Sequence, residues 1–79
     1  MVNRQKYNKI FADSFSIDES MLGNNLLYNT IPEWDSIGHM GLISAIEEAF
    51  NITMETEDII NFSSYQKGFE LLAKYGIEF

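Results

Sequence analysis

The sequence has no cysteine, a single proline, tryptophan and histidine, and no lysine or arginine between Lys9 and Lys67. Each scarcity excludes something. Without cysteine, neither a disulfide nor a thiolate-bound metal can hold the fold, and any thiol chemistry must come from a group added to the chain. One histidine among scattered carboxylates matches no transition-metal spacing. Glu55, Glu57 and Asp58 lack the regular ligand pattern and central glycine of a calcium loop, and a solvated acidic helix start accounts for them. No apolar run approaches the ~20 residues of a membrane span, and the basic start is followed by no continuous apolar signal core. A soluble cytoplasmic protein, a monomer, is the expectation.

What remains is acidic, with a formal charge of -7. The five cations, Arg4, Lys6, Lys9, Lys67 and Lys74, lie near the two ends, while Asp13, Asp18, Glu19, Glu33, Asp35, Glu47, Glu48, Glu55, Glu57 and Asp58 occupy the span between Lys9 and Lys67. Nucleic-acid backbones and anionic membrane surfaces would be repelled. Acidity of this kind keeps a small protein dissolved, and it also suits partner proteins with basic patches. The lack of any cation through the middle favours the second use.

With 79 residues, 46% of them hydrophobic and 22% charged, the chain has the composition of one folded domain spanning 1–79. A chain of this length hides only a little over ~60% of its unfolded surface, so its core is modest. The stretch Ile31 to Phe50 organises it. Pro32 disfavours helix at Ile31, and Asp35 and Ser36 are N-cap types standing where an apolar pattern of helical spacing begins. A helix opening at Ser36 is expected. Ile37, Met40, Ile43, Ile46 and Phe50 form its packed face, Leu42, Ala45 and Ala49 widen it, and Glu47 and Glu48 close it.

Upstream, Tyr7, Ile10, Phe11 and Phe15 predict a first helix from about Asn3 to Ser14. A long connection from Phe15 to Trp34 follows, with a turn at Gly23-Asn24-Asn25. Such a loop needs anchors, and Ile17, Met21, Leu22, Leu26, Leu27 and Ile31 are the candidates, with Trp34 fixing the entry to the second helix. Downstream, Thr56 caps a brief third helix near Glu57 to Asn61. Ser63 and Gln66 fit a capping box for a last helix whose inner face is Tyr65, Phe69, Leu72 and Ala73, ending near Gly76. Gly68 weakens that helix. The periodicity gives an all-α fold, a small bundle of four helices with a long loop after the first and a short third helix.

Ser36 is the candidate site. The first N–H groups of a helix lack partners and the dipole there favours an anion, so a phosphate on this hydroxyl is well placed; a plain N-cap is the simpler role. A nucleophilic pair with His39, three residues on, is sterically conceivable, but the chain has no second histidine and little sequence from which to build an oxyanion pocket.

Asp35-Ser36-Ile37 after Trp34, followed by an amphipathic helix ending Glu47-Glu48-Ala49-Phe50, resembles the serine signature and second helix of acyl carrier proteins. The resemblance extends over nearly the whole chain, through length, acidity, the short third helix and the final helix. It implies the carrier-type four-helix topology and a 4'-phosphopantetheine arm on Ser36, placed there from coenzyme A by a phosphopantetheinyl transferase. The protein would then be a vehicle and not an enzyme, carrying acyl groups as thioesters to loading and transfer enzymes with basic patches. Asp35, Glu47 and Glu48 match acidic recognition positions of the family, and Ile37, where the family usually has leucine, would give partners an apolar contact at the centre of that patch. Met40, Ile46, Ile59 and Phe62 are candidates for lining an acyl pocket, with ordinary core packing as the alternative. Gly38, His39 and Gly41 depart from the pattern of housekeeping fatty acid carriers, which points to a specialised stand-alone carrier. An aminoacyl or D-alanyl carrier shares the signature, and an unmodified acidic helical interaction module is the alternative of a different class.

Overall fold

A computed structural model describes residues 2–79. Among these described residues there are four α-helices: α1 Val2–Phe15, α2 Ser36–Phe50, α3 Thr56–Asn61 and α4 Tyr65–Ala73. The expected all-helical bundle is what the chain forms, with the helix boundaries within about two residues of those read from the sequence.

Aromatic rings fill the centre. Tyr7, Phe11 and Phe15, spaced at i, i+4 and i+8 on α1, are all buried. They meet Trp34, Phe62 and Tyr65, with ring centroids 4.9 to 6.2 Å apart among the Phe11 contacts. Trp34 lies flat against Phe15 and edge-on to Phe11. It is therefore a core residue as well as the residue that fixes the approach to α2. Leu42, Ile43 and Ile46 of α2 and Leu71 and Leu72 of α4 complete the packing.

The apolar stripe of α2 departs from expectation. It packs from Leu42 onward, but Ile37 is 84% exposed and Met40 53% exposed. Repeated three-residue steps lag the helical turn, so Ile37 lies half a circle round α2 from Ile46 and the buried face. On α4 the inner positions are Tyr65, Gly68, Leu71 and Leu72; Phe69 is partly buried and Ala73 is exposed. Gly68 is there by necessity, since a Cβ on it would lie 2.0 Å from the Tyr7 hydroxyl and 2.5 Å from Phe62 Cζ.

The long connection is held both by backbone bonds and by most of the side chains expected to anchor it. Leu26 is buried and Ile17, Leu22 and Ile31 are partly so, whereas Met21 and Leu27 are exposed. Leu27 forms an isolated bridge with Ser64. On either side of it, Tyr65 N–H donates to the Leu26 carbonyl at 3.0 Å and Tyr28 N–H donates to that of Ser63 at 2.8 Å. These bonds shift the capping role on α4: Ser64, not Ser63, is the N-cap, its hydroxyl accepting from Lys67 N–H at 2.9 Å. Thr56 is likewise the first residue of α3 and not its cap.

The α3–α4 end is tied by one ionic cluster. Asp58 is almost fully buried on α3 and accepts from Lys74 Nζ at 2.7 Å and from the Tyr75 hydroxyl. These two donors, Lys74 first, hold its carboxyl below the usual carboxylate range. At the opposite end of α2, Lys6 donates to the Ala49 carbonyl at 3.3 Å and lies over the Phe50 ring, a cation where the helix dipole is negative.

Candidate functional site

Four consecutive residues set up the start of α2. The 31–34 turn, closed by Trp34 N–H to the Ile31 carbonyl, drives the Trp34 ring into the core. Asp35 then takes the N-cap, its carboxylate accepting from Gly38 N–H at 2.8 Å and its carbonyl accepting from His39 N–H at 2.7 Å. Ser36 is the first helical residue and is exposed. Of the two cap types in the sequence, the aspartate caps, which leaves the serine hydroxyl free of that duty.

Gly38 makes this entry possible. A Cβ there would stand 1.9 Å from the Glu33 carbonyl oxygen. The backbone of the preceding turn thus packs directly against the first turn of α2. Gly41, by contrast, faces open space.

Beside Ser36 lies a cavity of about 350 Å³. Its lining includes Ser36 itself with Tyr28, His39, Met40, Ile59, Ile60 and Phe62. Three of the four residues expected to line an acyl pocket, Met40, Ile59 and Phe62, are therefore together. Ile46 is not among the lining residues; it is completely buried in the core. Tyr28, His39 and Ile60 were not among those expectations. Tyr28 sits in the long loop with no periodic signal to mark its partner, whereas Ile60 could have been found as the neighbour of Ile59.

His39 forms one wall and joins two elements. Its Nδ1 accepts from Trp34 Nε1 at 3.0 Å, and its Nε2 is 2.7 Å from the Ile59 carbonyl. A carbonyl only accepts, so Nε2 bears the hydrogen and the ring is the neutral Nε2–H tautomer. Both nitrogens are thereby committed, and neither is available to draw a proton from Ser36. The serine–histidine nucleophile weighed above has no base here. The side chain within hydrogen-bond distance of Ser36 Oγ among the described residues is that of Tyr28, whose hydroxyl lies 3.3 Å away.

The surface around the serine is apolar and acidic. Ile37 and Ile60 project into solvent, 84% and 73% exposed. Glu48 is exposed, but Glu47 is partly engaged inside the protein, its Oε2 accepting from Met54 N–H at 2.9 Å. The two glutamates grouped by sequence thus differ in role: Glu47 also fastens the loop after α2. No group of three metal-ligating side chains is assembled among the described residues. No helix among them is long and apolar enough to cross a membrane.

The arrangement suits a covalently held phosphate. The hydroxyl is accessible at the positive end of a 15-residue helix whose Gly38 N–H alone is taken by the Asp35 cap among the first three N–H groups, and an apolar cavity opens alongside. In sequence the chain is similar to a protein of Buchnera aphidicola subsp. Baizongia pistaciae named acyl carrier protein, with 34% identity over 71 residues. The match takes in 90% of this chain and 91% of that protein. No family model matches, and no solved structure matches.

Proposed function

The chain belongs to the acyl carrier protein family, and from that premise we propose that Ser36 bears a 4'-phosphopantetheine arm on which acyl groups travel as thioesters. As a member of that family it is a carrier and not an enzyme. The observation that carries the attachment is the exposed Ser36 hydroxyl on the first turn of α2, not engaged as the helix cap because Asp35 takes that role beside it. When bound, the arm supplies the thiol that this cysteine-free sequence lacks.

The residues around the serine have separate tasks in this reading. Asp35 and Gly38 hold the helix start in place, and the first N–H groups and the helix dipole favour the phosphate charge. Ile37 gives a partner enzyme an apolar contact beside the attachment point. Glu48, and the exposed part of Glu47, steer partners with basic patches, an effect that weakens with salt. A phosphopantetheinyl transferase is the first such partner, and enzymes that load and receive the acyl group follow. Met40, Ile59 and Phe62 line the cavity in which an acyl chain can rest out of water.

Incubating the protein with coenzyme A, magnesium and a broad-specificity phosphopantetheinyl transferase, then measuring intact mass, tests the proposal. Wild type should gain one phosphopantetheine and Ser36→Ala none. A wild-type chain left unmodified by several transferases would favour an acidic interaction module instead.

A further inference from the structure

Tyr28 is fixed at the edge of the site by more than its hydroxyl. Its N–H donates to the Ser63 carbonyl at 2.8 Å, and its ring stands edge-on to His39 and Trp34 at centroid distances of 5.6 and 6.3 Å. A phenylalanine would make the same packing. The phenol oxygen adds a hydrogen-bonding group 3.3 Å from Ser36 Oγ, at an exposed position where the fold gains little from it.

The charge distribution gives that oxygen a purpose. No lysine or arginine occurs between Lys9 and Lys67, and the nearest ionisable neighbour of Ser36 in sequence is the carboxylate of Asp35. No lysine or arginine lines the cavity beside Ser36 either, so a phosphate there relies on neutral donors: the N–H groups of the first turn that the Asp35 cap leaves over, and a hydroxyl. Esterification of Oγ removes the serine O–H and puts charged oxygens one bond further out, towards groups already in contact with Oγ. Hydrogen bonds to an ionised acceptor are roughly twice as strong as neutral ones. His39 cannot contribute, because its Nε2–H is committed to the Ile59 carbonyl.

We infer that the Tyr28 hydroxyl donates to the phosphate of the arm on Ser36 and fixes the root of the arm beside the cavity that Tyr28 itself lines. This rests on the attachment proposed above. The phenol settles the direction in which the arm leaves the protein, whereas the thiol end stays free to reach partner enzymes.

The test compares loaded wild type with loaded Tyr28→Phe by phosphorus NMR, using the same arm on an unstructured serine peptide as reference. In wild type the phosphorus signal should be displaced from the reference and relax as an ordered group. In Tyr28→Phe it should move towards the reference and relax as a more mobile one, with the melting temperature of the unloaded protein unchanged. A second reading needs no substitution: the Cζ carbon shift of Tyr28 should change when wild type is loaded. Identical phosphorus shifts and relaxation in the two proteins, or an unchanged Cζ shift, overturn the role of Tyr28 and leave attachment standing. A wild type that gains no arm by intact mass overturns both.

Discussion

The two glycines near the start of α2 should respond to alanine with opposite signs. In an exposed helix interior, glycine to alanine stabilises by about 1 kcal/mol, because alanine loses less backbone freedom on folding. Gly41 meets that condition, since a Cβ there contacts nothing within 4 Å. Gly41→Ala should therefore stabilise by about 1 kcal/mol. At Gly38 the new methyl falls 1.9 Å from a backbone carbonyl oxygen, that of Glu33, which cannot rotate away as a side chain could. Relief requires moving the turn that seats Trp34, an overpacking cost of about 1–3 kcal/mol, or opening the Asp35 cap, worth about 1 kcal/mol. After subtracting the propensity gain, Gly38→Ala should be up to about 2 kcal/mol less stable than wild type. Each kcal/mol corresponds to about 4–8 °C in a domain of this size. Urea unfolding followed by Trp34 fluorescence and by circular dichroism measures both variants. A Gly38→Ala protein as stable as Gly41→Ala would refute the close backbone approach on which the position of Ser36 depends.

Three further outcomes follow from the same contacts. Glu48→Lys should leave stability unchanged and slow arm transfer at low salt, whereas Glu47→Lys should also cost about 1 kcal/mol by losing the Met54 N–H bond; equal stabilities in a melting comparison would count against this division. His39→Leu strips partners from the Trp34 indole N–H and the Ile59 carbonyl, so a loss of about 2–4 kcal/mol is expected in denaturant, and a loss below about 1 kcal/mol would mean the bridge is dispensable. Asp58 has a folded pKa below its unfolded value of about 3.9, so its contribution is complete above that value and disappears as pH falls through it towards the folded pKa. Asp58→Asn should thus be less stable at neutral pH and lose less stability on acidification below about pH 5; parallel pH profiles for the two proteins would exclude that role.

The sequence was most legible where local chemistry and tertiary packing agree. The α1 aromatics, the Pro32–Asp35 entry and the two-glutamate end of α2 announce helices by spacing and caps, and those helices are present. It was less legible where helical phase or a distant element decides. Ile37, Met40, Ile43 and Ile46 recur every three residues, but a turn of about 3.6 residues rotates that run through half a circle, so Ile37 faces solvent while Ile43 and Ile46 enter the core. Gly38 and Gly68 look like weak points by propensity; each in fact admits a close neighbour, the Glu33 carbonyl in one case and Tyr7 with Phe62 in the other. Ser63 has the better capping-box spacing, but its carbonyl is bonded to Tyr28 and the cap passes to Ser64.

Within the site, Asp35 and Ser36 were evident because capping and anion preference are local properties of a helix start. Tyr28 and His39 were not, since their roles come from partners separated by 8 and 20 residues, Ser36 and the Ile59 carbonyl. Ile46 stands outside the cavity because of helical phase: it is about 120° round α2 from Met40, on the face that Leu42 and Ile43 pack into the core.

Because the chain has no cysteine, the most direct test of the account is a count of reactive thiols after treatment with coenzyme A and a phosphopantetheinyl transferase, once small molecules are removed. Wild type should present one thiol per chain and Ser36→Ala none. No thiol on fully folded wild type, or one on Ser36→Ala, would contradict the assignment of Ser36 as the attachment point.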